Sequence, residues 1–214
     1  MQIPRLYCIA DAAFLPTTVE LLAFAEELVS AGVTLLQYRN KSENARVMLE
    51  QARELRRFSR ARAPAPHVQS PHVVKLIIND RADLCLAAEF DGVHVGQGDL
   101  SPESVRKIIG SERWLGVSTH NPEQIQEADL TSADYLAIGP VFSTSSKDKP
   151  DPVVGLEGVR RARALTRKPL VAIGGITRAN AASVIEAGAD SVALISDLLR
   201  EPRKSAEEFF RVLR

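Results

Sequence analysis

Short β-rich runs alternate with helical patterns from one end of the chain to the other, and this alternation limits the available folds. The strand candidates are RLYCIAD (5–11), TLLQYRN (34–40), VVKLIIND (73–80), DGVHVGQ (91–97), WLGVST (114–119), YLAIGPVF (135–142), PLVAIGGI (169–176) and SVALIS (191–196). Between them lie helical periods: Leu21, Phe24, Ala25, Leu28 and Val29 share one face, as do Met48, Ala52 and Leu55, and later Ala181, Val184, Ile185 and Gly188. Ser101 and Asn121 each precede a proline and are expected helix N-caps. Eight strand–helix pairs in 214 residues predict an α/β fold, a (β/α)8 TIM barrel spanning 1–214 as one domain. The rival, a doubly wound open sheet, usually carries about five or six strands and a glycine fingerprint after the first, and no such fingerprint is present. The proline-rich stretch 60–74 reads as a long surface connection.

Lys+Arg and Asp+Glu both total 27, so the formal net charge is zero. A nucleic acid or an anionic membrane needs a basic excess or patch, so neither is expected as a partner, and any anion site must be built locally. The oligomeric state stays open, a homo-oligomer included. The stretch MQIPRLYCIAD has no long apolar h-region and no run reaches membrane-spanning length, so a cytoplasmic location is expected. Cys8 and Cys85 stand in apolar surroundings without metal spacing and read as buried free thiols.

In a barrel of this kind chemistry gathers at the C-terminal ends of the strands. The second strand ends QYRNK, where Gln37, Arg39 and Lys41 alternate onto one side of an extended segment. An amide, a guanidinium and an ammonium at one mouth suit a phosphate or diphosphate. The third strand ends with Asn79 and Asp80, and Gln97 and Asp99 follow the fourth. Adjacent strands lie ~5 Å apart, so Asp80 and Asp99 could share a Mg²⁺ that completes its shell with water and substrate phosphates. Two other readings stay open: Asp99 as a cap on the helix at LSPES, and Asp80 as an ion-pair partner of Arg81 or Arg39. After the seventh strand, Gly174 and Gly175 let a ligand approach the backbone, and the following helix offers N–H groups. Ser196 ends the eighth. Between these two anion poles, the hydroxyl-rich run from Ser143 to Pro152 is long for a plain connection and reads as a lid. His94, alternating with Val93 and Val95, reads as a satisfied interior group. His67 and His72 look solvent-facing.

The ordered set QYRNK, IINDR, GVHVGQGDL, GVSTHN, GPVFSTSSK, AIGGI and GADSVALIS resembles the thiamine phosphate synthase family over nearly the whole chain. The resemblance implies a transferase of thiamine biosynthesis. Such an enzyme joins a hydroxymethylpyrimidine diphosphate to a thiazole phosphate and releases diphosphate, with Mg²⁺ as cofactor. It implies that Gln37, Tyr38, Arg39, Asn40, Lys41, Asn79, Ser118 and Lys147 hold the pyrimidine diphosphate. Asp80 and Asp99 would hold the metal, and Thr144, Ser145, Ser146, Gly175, Ile195 and Ser196 the thiazole phosphate. Arg39, Lys41, Lys147 and Ser118 would be the catalytic set of a dissociative substitution. The family's loop commonly reads Thr-x-Thr-Lys; here Ser146 replaces the second threonine and keeps a hydroxyl. Two alternatives share the barrel: a thiazole tautomerase using His120, and a catalytically silent barrel that binds thiazole phosphate.

Overall fold

In a computed structural model of the chain, residues 1–61, 74–144 and 151–214 are described. Eight parallel strands close into a barrel in sequence order: β1 (Leu6–Asp11), β2 (Leu35–Arg39), β3 (Lys75–Asn79), β4 (Gly92–Val95), β5 (Trp114–Thr119), β6 (Tyr135–Ile138), β7 (Leu170–Ile173) and β8 (Ser191–Leu194). The pairing of β1 with β8 completes the ring. The helices that follow them are α1 (Thr18–Ser30), α2 (Ala45–Ala61), α3 (Ala82–Ala87), α4 (Pro102–Ile109), α5 (Pro122–Asp129), α6 (Gly155–Leu165), α7 (Ala181–Glu186) and α8 (Pro202–Val212). The expected barrel is therefore the observed fold.

Side-chain alternation divides each strand between two packed regions. Tyr7, Ile9, Leu35, Ile77, Tyr135, Ala137, Val171 and Ala193 fill the barrel interior. The residues between them, such as Cys8, Leu36, Leu76, Val93 and Leu136, pack outward against the helices. Leu21, Phe24, Ala25 and Leu28 of α1, and Met48, Ala52 and Leu55 of α2, are buried on their expected faces. Ser101 and Asn121 cap α4 and α5 by accepting from the amides of Ser104 and Gln124. Both cysteines are free and buried.

Several strands end earlier than their apolar runs. β6 stops at Ile138, yet Val141 and Phe142 still donate their amides to Ile173 O (2.9 Å) and Gly174 O (3.0 Å). The chain there follows its neighbour without forming a ladder, so an apolar sequence reads as strand where the backbone has become a mouth loop. The connection 60–74 falls mostly, and the lid partly, outside the described residues. So do His67 and His72.

At the opposite end of the barrel one device appears three times. Asp91, Asp134 and Asp190 immediately precede β4, β6 and β8. Each exchanges backbone contact with the neighbouring odd-numbered strand and accepts that strand's amide on Oδ2: Leu76 N (2.8 Å), Leu115 N (2.7 Å) and Leu170 N (2.8 Å). The same Oδ2 accepts from Arg56 of α2 (2.9 Å), Arg106 of α4 (2.6 Å) and Arg163 of α6 (2.8 Å). One carboxylate thus joins two strands and a helix. In the remaining pair, β1–β2, Thr34 occupies the corresponding place.

Candidate active site

The C-terminal strand ends open into one cavity of about 590 Å³. Gln37, Arg39, Lys41, Asn79, Asp80, Gln97, Asp99 and Ser118 line one side; Gly174, Gly175, Ile195 and Ser196 line the other, with Thr144 between. The two poles expected from the sequence therefore face one space. Ser145, Ser146 and Lys147 lie outside the described residues.

The cationic side has two ion pairs. Arg39 is held by Asp11, whose side chain is 2% exposed and whose Oδ1 accepts from Ala13 N (3.0 Å). Lys41 pairs with Asp80. Neither expected partner of Asp80, Arg81 or Arg39, takes that role: Arg81 turns to Asp83. Asp80 has φ of 63°, in the left-handed region, and its amide donates to His94 O (2.8 Å). A non-glycine residue in that region stores strain and occurs often at ligand-holding positions. Burial raises the Asp80 pKa above the usual carboxylate value; Lys41 opposes this shift and the neighbouring Asp99 adds to it. Asp99 does not cap α4, where Ser101 does so; its Oδ2 accepts instead from Gly96 N (2.7 Å). Asn79, 8% exposed, has an amide nitrogen with no partner among the described residues, beside the cavity.

Two members of QYRNK are not brought to the cavity. Tyr38 and Asn40 alternate to the helix side, where the Tyr38 hydroxyl donates to Gln51 Oε1 (2.5 Å) and Asn40 Nδ2 donates to the Tyr38 oxygen (3.0 Å). Period-2 alternation assigns Gln37, Arg39 and Lys41 to one side and these two to the other. They brace the segment against α2 and do not line the cavity.

Beneath the poles, polar side chains cross the barrel interior. Gln37 Nε2 donates to Tyr7 Oη (2.8 Å), Tyr7 Oη meets Tyr135 Oη (2.9 Å), and Tyr135 Oη meets His94 Nδ1 (3.1 Å). His94 Nε2 meets Ser118 Oγ (2.8 Å). His94 is thus the satisfied interior group its alternation suggests. Burial pushes its pKa down to about 4, against a small opposing pull from Asp99, and pushes those of both tyrosines up. Tyr7 and Asp11 are site residues that sequence reasoning missed. Both lie on β1: Asp11 at its C-terminal end, where the same positional rule applies as for the other strands, and Tyr7 deeper in the barrel.

On the phosphate side, Gly175 has φ of 62°, and a Cβ there would stand 2.4 Å from Ser143 O. Only glycine lets the β7 turn pack against the chain leaving β6. α7 starts only at Ala181, so the backbone at this side belongs to the Gly174–Ile176 turn and to a 3-10 turn, Ser196–Leu198, in place of the expected helix start. His120 also lines the cavity, with Nδ1 on Gly139 O (2.6 Å) and Nε2 3.5 Å from Asp151.

The residues fit a hard divalent cation in one respect. Two carboxylates from neighbouring strand ends, close enough to interact, supply oxygen donors only. Among the described residues no cluster of three or more His, Cys, Asp or Glu side chains could hold a metal. Also among the described residues, no helix is long and apolar enough to cross a membrane.

Comparison with known proteins carries the assignment further. A sequence model described as thiamine monophosphate synthase matches residues 6–198. The thiamine-phosphate synthase of Koribacter versatilis is 57% identical over 216 aligned residues, covering 100% of this chain and 97% of that protein. The one from Chloroflexus aurantiacus is 43% identical, covering 90% and 83%. A solved thiamine phosphate pyrophosphorylase from Pyrococcus furiosus superposes with a TM-score of 0.82 at 31% identity, covering 98% of this chain and 95% of that one. A chain of the tryptophan synthase complex from the same organism, at 17% identity and a TM-score of 0.68, shares the fold alone. The chain belongs to the thiamine monophosphate synthase family and is an enzyme of thiamine biosynthesis.

Proposed function

We propose that the chain is the transferase that couples hydroxymethylpyrimidine diphosphate to the thiazole phosphate, giving thiamine phosphate and diphosphate. One observation carries the reading: a single cavity has cations and paired carboxylates at one end and glycine backbone at the other. Two phosphorylated substrates of unequal charge match that asymmetry. The unpartnered Asn79 amide and the anchored Arg39 supply donors to the diphosphate end.

In this reading Arg39 and Lys41 accumulate positive charge where the leaving diphosphate develops its negative charge, and Lys147 joins them by family resemblance. The electron-rich aminopyrimidine stabilises the methylene cation left behind. The thiazole nitrogen then attacks; it carries no proton, so no general base is required for that step. The chain's contribution is orientation and fixed charge. A bound Mg²⁺, held by Asp80 and Asp99, would neutralise further charge on the leaving group.

His120 at the cavity wall favours a second reading, a thiazole tautomerase. That reaction has no use for the Asp80–Asp99 pair. The His120→Ala variant separates the two: coupling of the two halves, followed by product chromatography, should stay within about tenfold of the parent. A parent that couples no halves but tautomerises the thiazole, with that activity lost on removal of this imidazole, would favour the second reading.

A further inference from the structure

The polar side chains inside the barrel contain more oxygen and nitrogen than a packed interior needs. Tyr135 is fully buried and does not line the cavity. A polar group placed there must work through its neighbours or cost stability. Its surroundings are built for one contact. His94, Gly116 and Tyr135 lie in one row across β4, β5 and β6. A Cβ on Gly116 would stand 2.4 Å from His94 Nδ1 and 2.1 Å from the Tyr135 ring. Glycine is therefore the residue that lets imidazole and phenol meet over the intervening strand.

Counting protons gives the row a direction. The imidazole is buried; among the described residues its ring nitrogens meet hydroxyls only and no carboxylate bonds to it, so it is neutral and carries one N–H. Each phenol and the serine also carry one proton. Four contacts link five groups, and each contact uses one proton. With Gln37 donating Nε2–H to Tyr7, three arrangements satisfy all four, and one of them alone also gives both buried phenol protons an acceptor. Tyr7 donates to Tyr135, Tyr135 donates to His94 Nδ1, and His94 donates its Nε2–H to Ser118. The Ser118 proton is left for the cavity, and so is the Gln37 amide oxygen.

We infer that Tyr7, Tyr135 and His94 form a directional hydrogen-bond relay that fixes opposite polarity at its two cavity-facing ends, an acceptor at Gln37 and a donor at Ser118. This rests on the proposed function, because an aminopyrimidine is the half that carries both complements: an exocyclic amino donor and a ring-nitrogen acceptor. The relay makes the site specific for the amino form. A pyrimidine with an oxo group in place of the amino group would set carbonyl against carbonyl at Gln37. Reversing one end of the relay requires reversing every link or stranding a buried phenol proton, so the mismatch is not relieved without cost. Tyr135 is then a positioning residue: it touches no ligand and sets what two other residues offer.

Nitrogen-15 spectra of the imidazoles test the relay directly. The chain has 4 histidines, and loss of one signal in a His94→Asn variant assigns the resonance. The relay requires His94 to be the neutral Nε2–H tautomer in the parent, and to become a mixture of tautomers in Tyr135→Phe. An Nδ1–H tautomer in the parent, or one unchanged by Tyr135→Phe, overturns it. Kinetics supply the second readout. In Tyr135→Phe the Michaelis constant for the pyrimidine diphosphate should rise on the order of tenfold while that for thiazole phosphate holds within about twofold. The oxo analogue, used as a competitive inhibitor, should lose roughly tenfold of its disadvantage against the amino substrate. Equal loss of affinity for both pyrimidines would mean a packing defect and contradict the relay. If the parent couples no halves, the proposed function fails, while the parent spectrum still decides the relay. Should Tyr135→Phe not fold, the parent tautomer alone decides it.

Discussion

Asp80 is held in a left-handed backbone conformation, half out of water and beside a second carboxylate. Its raised pKa means that folding favours the protonated form. The group therefore supports the fold best at low pH, and its contribution turns unfavourable as pH climbs past the ordinary 3.8. Asparagine tolerates the left-handed region and carries no charge. Asp80→Asn should thus raise the thermal midpoint of the metal-free protein near neutral pH, read by calorimetry, while lowering Mg²⁺-dependent turnover by roughly 100-fold or more. A variant both less stable and fully active would contradict the assignment. His94 has the opposite sign of effect on the fold. Its pKa of about 4 lies below the ordinary 6.5, so its contribution is present above 6.5 and is lost as pH falls through about 4. On the order of 3 kcal/mol of unfolding free energy should disappear over that interval through this one imidazole. Urea titrations at several pH values should show a flatter acid limb in His94→Asn. A third test concerns Asp11. Asp11→Asn keeps the shape beneath Arg39 but removes its counter-charge, and should lower kcat/KM for the diphosphate substrate about tenfold with little change in thiazole phosphate affinity. The strand-end rule made Arg39, Lys41, Asn79, Asp80 and Asp99 legible, because each is a charged or amide group just where an apolar run stops. Asp11 meets the same rule, but its partner lies 28 residues away and nothing adjacent marks it.

The eight strand–helix pairs follow from periodicity, and most differences fall at the C-terminal ends of the strands. Apolar residues such as Val141 continue past the last ladder contact because the mouth loops are themselves buried. Tyr38 and Asn40 show the value of strict alternation: the two positions between Gln37, Arg39 and Lys41 belong to α2's side of the sheet. The Asp–Arg staples were not legible as a set. Each is a short-range bond between chain segments that periodicity treats separately, and only closure of the barrel shows that Asp91, Asp134 and Asp190 repeat one arrangement. The central staple gives an element-scale test. Asp134→Ala strands the Leu115 amide and removes the counter-charge of Arg106, which keeps its carbonyl acceptors, and should cost about 1–3 kcal/mol in urea denaturation. Asp134→Asn keeps an acceptor for the amide and should recover part of that loss. Equal effects of the two substitutions would mean that the charge, rather than the strand-to-strand bond, matters most.

For the whole molecule, the barrel brings together groups from β1 to β8 that no local pattern unites. Charges and carboxylates from β2 to β4 face a backbone-lined wall from β7 and β8 across about 590 Å³, with a polar row from Gln37 to Ser118 beneath. The sequence indicated both walls through their strand ends. It did not indicate the row beneath them, because Tyr7 and Tyr135 read as ordinary interior aromatics until the strands are in register. In the proposed reaction the two ends of the cavity serve two substrates at once. The most direct measurement is the product stoichiometry when the protein is mixed with pyrimidine diphosphate, thiazole phosphate and Mg²⁺, each component also omitted in turn. Thiamine phosphate and diphosphate should appear in equal amounts, and neither product when any one component is missing. Diphosphate released without thiazole phosphate, or no thiamine phosphate from the complete mixture, would contradict the proposed reaction.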